Sequence, residues 1–530
     1  VAEGVMLARC KTAALRGLDA RPVLVEVDLA PGLPGLQLVG LADAAVQEAR
    51  ERVRSALRHS GLKVPLTRVV VNLAPADLRK EGPGFDLPIA LGLLLASGQL
   101  DEACCAGVWS AAELGLDGAL RPIRGVLAIA IAAHQHGARA LVVPEANAWE
   151  AALVKGLQVW GASTLGQVLW RLQHPQAPNR ASKGSSMPQL VPPGPAAGDL
   201  ADVKGQAHGR RALEIAAAGG HHLLLCGPPG SGKTMLAQRL AGLLPPLDPA
   251  EALELTAIHS VAGLLDSSQG LLQTRPFRSP HHSCSAPGLI GGGAQPRPGE
   301  LALAHHGVLF LDELAEFRRA VLDQLRQPLE DGEVWIHRAR QRTRFPCRIT
   351  LVAASNPCPC GWFGDPDRHC SCGEGLRRRY WGRLSGPLLD RIDLQVVMRR
   401  PSSEALTAPF RSRQARTEES TSATAAQSTP ESTADVRQRV SRARLRMADR
   451  NPSGCTNSRI PGGQLEQVVQ LDSEAFSTWE AALQQRQLSA RAGARLLRVA
   501  QTITDLAGED RINAEAIAEA LTYRSFDQGL

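Results

Sequence analysis

No run of apolar residues in this chain is long enough to cross a bilayer. The longest, Leu87 to Ala96, covers about half of what a membrane helix requires. The opening residues, Val1 to Arg16, lack the export pattern of positive charge followed by a long apolar block. Membrane insertion and secretion are therefore not expected, and a cytoplasmic location is. Lysine is scarce, 7 residues against 52 arginines, a usage bias that lowers the weight of any arginine cluster. No internal repeat is visible. The 11 cysteines are odd in number and come without an export signal, which suggests reduced thiols and leaves room for a metal site.

What is present is the composition of a folded globular protein: 530 residues, 44% hydrophobic and 21% charged, enough for two to four domains. The net charge of +7 is not spread evenly. Residues 301–450 hold 25 arginines, no lysine and 18 acids, while the rest of the chain balances 34 basic against 34 acidic side chains. The whole excess in one stretch is what a polyanion-binding surface would show, with arginine usage as the competing explanation.

Residues 1–172 alternate β-rich and helical runs, as an α/β or α+β domain does. Val23–Leu29 and Arg68–Leu73 read as strands. Asp43–His59 carries Val46, Ala49, Val53 and Leu57 on one stripe of a helix, and further helices are expected at Phe85–Ala96 and Val126–His136. Residues 173–199, rich in Pro, Ser, Gly and Ala, read as a linker before a second α/β module at 200–400. A second linker at 401–435 contains the Ser/Thr/Ala/Glu/Gln run Thr417–Thr433, and residues 436–530 show only helical periodicity.

His222–Cys226 is a buried-strand run leading into Gly227, Pro228, Pro229, Gly230, Ser231, Gly232, Lys233 and Thr234, followed by a helical segment. This is a complete phosphate-binding loop in its strand–loop–helix context. Glycines let backbone N–H groups curl around the β-phosphate. Lys233 reaches the β- and γ-phosphates of ATP, and the Thr234 hydroxyl can ligate Mg²⁺. Downstream, the strand Val308–Leu311 ends in Asp312, suited to the metal shell, and Glu313, suited to orienting the attacking water. A third strand, Arg348–Ala354, ends in Ser355 and Asn356, whose amide could meet the γ-phosphate or, alone, would simply form a turn.

That order, with Gly386–Asp393 after it, resembles an AAA+ ATPase. More narrowly the chain resembles the Mg-chelatase-like ComM/YifB family, through Arg275–His282, Leu289–Gly293, Pro298–Glu300, Val308–Leu314, Val71–Gly82 and Ser489–Arg491. The resemblance implies a Lon-protease-like (ribosomal S5 domain 2-like) N-terminal domain, a P-loop AAA+ core and an α-helical lid. It also implies a ring, expected to be a hexamer, with ATP between subunits. Arg391 matches an arginine finger and Arg491 a second sensor on the lid, with Arg383 the competing finger. In the Lon-like domain Gly84 stands where a nucleophilic serine would be and Leu127 where the lysine would be, so peptide hydrolysis is not expected.

Arg338, Arg340, Arg342 and Arg344 alternate beside Trp335, Ile336 and Phe345, as on one face of a strand or the tip of a hairpin. In the family's branch such a hairpin points into the ring pore, where arginines would meet phosphates; a charged edge strand is the alternative. His259–Glu300 reads as an insertion loop, and its adjacent His281 and His282 make poor metal ligands because neighbours in a strand point apart. Val436–Arg450, with six arginines and one acid, fits nucleic acid or a solvated helix face equally. Cys358, Cys360, Cys370 and Cys372 form two Cys-x-Cys units that could close a structural zinc site, with His369 as a spare ligand and free or redox-active thiols as the alternative.

The expected function is thus an ATP-driven motor on single-stranded or branched DNA, in the family's role of a branch-migration helicase during natural transformation. A chelatase-type motor remodelling a protein partner, and a nucleotide-switched regulatory module, are the rivals.

Overall fold

The computed structural model describes residues 7–177, 198–265, 270–293, 296–338, 341–401, 407 and 431–524. The N-terminal domain is built on a mixed seven-stranded sheet in the order Gly35–Val39, Arg68–Ala74, Asp19–Ala30, Leu7–Arg16, Val108–Ser110, Ala140–Pro144, Gln158–Ala162. Leu7–Arg16 and Asp19–Ala30 form a hairpin in which Val23, Val25 and Val27 alternate inward, as the period-two pattern predicts. The expected first helix spans Ala44–His59, with Asp43 as its N-cap accepting from the Val46 amide, and buries Val46, Ala49, Val53 and Leu57. The other two expected helices are present at Asp86–Ala96, after a short turn of 3-10 helix at Pro83–Phe85, and at Val126–Gln135.

The second module carries a five-stranded, all-parallel sheet in the order Phe277–Arg278, Val308–Leu311, Thr350–Ser355, Leu223–Cys226, Leu394–Val397. Its three central strands are buried at every position because helices cover both faces, which is why their sequences are continuous apolar runs. The stretch His259–Glu300, expected to be an insertion loop, is more ordered than that. Its start completes the helix Pro249–Ala262, and Phe277–Arg278 supplies the sheet's edge strand; a short helix, Ala286–Ile290, and a small ribbon, Gly291–Gly292 with Arg297–Pro298, follow. Glycine and proline density hid an edge strand two residues long.

The C-terminal helices Thr433–Arg450, Ser473–Gln485, Ala490–Ala507 and Ala514–Thr522 pack on the core through the helix Ala207–Gly219. The first starts three residues before the expected boundary because Ser432 and Asp435 form a capping box. Ala490–Ala507 buries Leu496, Val499, Ala500 and Ile503, and truncating Leu496 to Ala would cost about 2–5 kcal/mol. A polar bridge adds direction: His221 contacts Asp393 Oδ2 (3.1 Å) at the sheet and Thr502 Oγ1 (2.8 Å) on that helix.

Among the described residues, the N-terminal domain touches the second module through its first hairpin and around Glu150. Leu18, in the turn of its first hairpin, packs into the core's apolar cluster, while neighbouring Gly17 (φ +66°) lies so close to Thr343 that a Cβ would sit 2.6 Å from its Cγ2. The second contact is Glu150, buried and receiving hydrogen bonds from Ser260 Oγ, the Leu127 amide (2.8 Å) and Asn147 (3.3 Å). Burial pushes its carboxyl above the usual range against those three donors.

Candidate nucleotide site

The phosphate loop joins the buried strand Leu223–Cys226 to the helix Lys233–Leu243. Two of its glycines, Gly230 (φ +79°) and Gly232 (φ +88°), hold left-handed backbone that other residues resist, and at Gly227 a Cβ would lie 2.5 Å from the Met398 carbonyl oxygen. Gln206 clamps the loop from outside, donating to the carbonyls of Ser231 (2.9 Å) and Arg399 (2.7 Å).

Lys233 Nζ donates to the carbonyls of Gly227 (2.6 Å) and Pro228 (3.0 Å) and to Asn356 Oδ1 (3.1 Å). Burial pushes its ammonium below the ordinary lysine value, opposed by Cys226, Asp312 and Glu313. Three backbone and amide oxygens thus stand in for the phosphate oxygens that a partly desolvated ammonium favours. Thr234 Oγ1 donates to Asp312 Oδ2 (2.9 Å), so the hydroxyl and carboxylate suited to one Mg²⁺ shell are neighbours. The Ser231 hydroxyl is buried without a hydrogen-bond partner among the described residues, a further sign that the loop's polar set fits a phosphate group. Asn356 reaches Lys233 because its strand, Thr350–Ser355, lies between the other two in the sheet.

Glu313 has φ +51°, a left-handed conformation that costs a residue with a Cβ about 1–3 kcal/mol and that recurs at functional positions. Its carboxylate meets a residue the sequence reasoning missed: His282 Nδ1 lies 3.1 Å from Glu313 Oε2. His281 and His282 do not point apart, since they occupy a turn rather than a strand and their rings lie 4.0 Å centroid to centroid. The only available signal was their place in Arg275–His282, just beyond the edge strand.

Arg391 donates to the Pro387 carbonyl (2.7 Å) and pairs with Glu330, not with Asp390 or Asp393 next to it in sequence. Arg383 donates to the Ala315 carbonyl (2.9 Å) and to Glu316 (3.0 Å). Arg491 is exposed in the first turn of its helix and makes no side-chain hydrogen bond or ion pair among the described residues. None of these three arginines contacts Lys233 among the described residues.

The expected arginine hairpin is present, Glu333–Arg338 pairing antiparallel with Gln341–Pro346. Val334, Ile336, Thr343 and Phe345 face inward, so Trp335, His337, Arg342 and Arg344 share the outer face. Arg342 lies over the Trp335 ring (4.0 Å) and Arg344 pairs with Glu333 (2.6 Å). Arg340 lies outside the described residues, as does the side chain of Arg338. The Thr433–Arg450 helix is less free than its composition suggested. Arg439 pairs with Glu214 and Glu431, Arg444 donates to the Ala217 carbonyl, Arg446 meets Asp510 and Arg450 meets Asp505 and Asn457. Only Arg437 and Arg442 lack such side-chain contacts among the described residues.

The four cysteines converge: their sulfurs all lie within 4.8 Å of one another, with Cys358–Cys360 at 3.3 Å, Cys358–Cys370 at 3.6 Å and Cys360–Cys370 at 3.5 Å. His369 is not part of the cluster. A second cluster, Glu254, His305 and His306, is held instead by a hydrogen bond between His306 Nε2 and Glu254 (3.0 Å), while His305 Nε2 has no well-aligned partner among the described residues. His305 Nδ1 accepts from the Arg348 amide (2.9 Å), so the proton sits on Nε2, 3.1 Å from Glu254, and no ring nitrogen of His305 is left for a metal. In the N-terminal domain Gly84 lies in the Pro83–Phe85 turn and Leu127 is fully buried, so neither position offers a nucleophile or base. No helix among the described residues is long and apolar enough to cross a membrane.

Residues 199–406 match the family described as magnesium chelatase, subunit ChlI, residues 25–147 match subunit ChlI of Mg-chelatase, and residues 430–524 match the ChlI C-terminal family. An uncharacterised Mycobacterium tuberculosis protein is 44% identical over 522 residues, covering 98% of each chain. The uncharacterised YifB of Escherichia coli is 43% identical over 518 residues, covering 98% of this chain and 97% of its own. Competence protein ComM of Haemophilus influenzae is 43% identical over 510 residues, covering 96% of each.

Proposed function

This chain belongs to the Mg-chelatase-like family that includes YifB and ComM, and on that premise we propose that it is an ATP-driven ring motor acting on DNA, a branch-migration helicase that promotes integration of incoming DNA during natural transformation. The observation that carries the reading is one continuous segment, 333–356. Its hairpin presents Arg342 and Arg344 outward, and its strand ends in Asn356 against Lys233. A change at the γ-phosphate felt by Asn356 would travel along a buried strand to two guanidiniums suited to phosphates. The competence name of the Haemophilus relative supports the biological setting.

ATP with Mg²⁺ would be held by Lys233, Thr234 and Asp312, the ion supplying charge neutralisation between the phosphates. Glu313 takes the proton of the attacking water, and Asn356 orients that water. Arg391 of an adjacent subunit stabilises charge on the transferred group, with Arg383 the alternative, and Arg491 senses the nucleotide from the C-terminal helices. A finger acting between subunits accounts for Arg391 making no contact with its own Lys233 among the described residues, and favours a closed ring, a hexamer. Cys358, Cys360, Cys370 and Cys372 hold a structural zinc.

The test is ATP turnover with no DNA and with single-stranded, duplex and branched DNA across a salt series. Turnover stimulated most by branched DNA, with the stimulation falling steeply as salt rises, is expected. Turnover indifferent to every polynucleotide sinks the reading.

A further inference from the structure

Residues 357–373 contain no helix or strand, yet they pack directly on the phosphate loop. Gly361 (φ +84°) sits so close that a Cβ there would lie 2.8 Å from Pro229 Cδ. The segment starts at Pro357, immediately after Asn356, whose amide oxygen accepts from Lys233 (3.1 Å). Its Trp362 is flanked by Arg368 (4.3 Å) and by Arg400 (5.8 Å), and Arg400 follows Met398 and Arg399, whose carbonyls pack against or are tied to the loop on its other side. Three attachments therefore tie one irregular segment to the nucleotide site: Asn356 to Lys233, Gly361 to Pro229, and Trp362 to Arg400.

Such a segment has little of its own to hold it. Trp381 Nε1 donates to the Pro357 carbonyl (2.9 Å) at one end and Arg377 to the Cys372 carbonyl (2.8 Å) at the other. Between them lie a local turn in which Asp365 accepts from the Asp367 and Arg368 amides, Arg377 over the Phe363 ring (4.2 Å), and the contacts of the four sulfurs, which bring the two ends of the loop together. A tetrahedral zinc site with Zn–S of about 2.3 Å has sulfur–sulfur edges of about 3.8 Å, close to the 3.3–3.6 Å separations found here. Metal binding by an otherwise irregular segment is folding free energy for that segment.

We propose that the cysteine-held segment is a wall of the nucleotide site, so that bound zinc sets the position of Pro229 and Asn356 and nucleotide affinity depends on the metal. This rests on the reading of Lys233 as an ATP ligand and of the four thiolates as zinc ligands. The regulatory consequence is direct: stripping zinc weakens ATP binding although none of the four cysteines contacts phosphate.

The experiment uses the full chain purified under reducing conditions, with zinc measured by elemental analysis and mant-ADP as the nucleotide probe. About one zinc per chain is expected, and exchange for Co²⁺ should give the absorption of a tetrahedral thiolate site. Removing the metal with a chelator should weaken mant-ADP binding about tenfold, with recovery when zinc is returned. Cys370→Ser should behave as the stripped protein does. If that variant fails to fold, Gly361→Val keeps all four cysteines and wedges a side chain against Pro229; it should retain zinc and still bind mant-ADP more weakly. Lys233→Ala should lose mant-ADP while keeping its zinc. A wild-type chain without zinc, or one whose mant-ADP affinity is the same with and without it, overturns the proposal. A zinc-replete chain that binds no mant-ADP overturns the nucleotide reading and this coupling together, and leaves the metal site standing.

Discussion

His282 Nδ1 and Glu313 Oε2 lie 3.1 Å apart, joining a turn beyond the sheet's edge strand to the acid that follows its neighbour. An imidazole on that carboxylate holds the group assigned to the attacking water, and Glu313's left-handed backbone keeps it within reach. Replacing His282 by Ala is expected to raise DNA-free ATP turnover several-fold and to shrink the stimulation by DNA. Glu313→Gln should abolish turnover while leaving mant-ADP affinity within about twofold of wild type. Steady-state turnover with and without DNA checks both; an H282A profile identical to wild type removes the pair from the mechanism.

On the proposed mechanism, Lys233 and Arg391 act in the same reaction from different subunits. Lys233→Ala should lose nucleotide binding. Arg391→Ala should keep it and lose turnover by about 10³-fold or more. Its pairing with Glu330 is partly exposed and worth about 1 kcal/mol at most, so stability should hardly change. Mixing the two inactive variants should restore part of the activity, since a junction can then combine an intact Lys233 with a neighbour's intact Arg391. Mixtures as inactive as their components would place the finger elsewhere, with Arg383 the next to test.

On the proposed reading, the outer face of the hairpin sets the salt dependence of DNA binding. Removing Arg342 and Arg344 together should lower the slope of log affinity for single-stranded DNA against log salt by roughly 1–2, the value for one or two lost phosphate contacts. Basal turnover should stay unchanged. An unaltered slope, read by fluorescence anisotropy between low and moderate salt, would leave these guanidiniums to Trp335 and Glu333 alone.

Acid should weaken the core through His305. Burial lowers its pKa to about 4, opposed by Glu254, and protonating Nδ1 would also break the hydrogen bond from the Arg348 amide. A folded-state value below the unfolded value of about 6.5 means the unfolded chain binds the proton more readily. The stabilisation is therefore complete above about pH 6.5 and is lost as pH falls toward 4. The urea midpoint at pH 5 should lie below that at pH 7.5, and His305→Gln should narrow the difference. Equal narrowing by a distant surface histidine such as His174 would argue against the assignment.

Much of the nucleotide site was legible locally. A glycine-rich loop between a buried strand and a helix permits few conformations, so Gly227 to Thr234 could be placed from spacing alone, and Val308–Leu311 announced itself as a strand buried on both faces. Arg391 was harder, because its partner Glu330 lies 61 positions away while two acids sit beside it in sequence. The six arginines of Val436–Arg450 were ambiguous for the same reason. Composition records their charge but not Glu214, Asp505, Asp510 or the Ala217 carbonyl, which neutralise or engage four of them.

The amino-acid order by itself determined the elements that depend on neighbours within a few residues: strands from alternation or continuous burial, helices from their apolar stripe and caps, and the phosphate loop from its glycines. Only the tertiary structure decided which distant groups meet, setting His282 on Glu313, Asn356 on Lys233, Gly17 on Thr343 and the cysteine segment on Pro229. The physical reason is range: backbone propensity acts over one or two turns, whereas these contacts are chosen by how whole layers pack around a buried sheet.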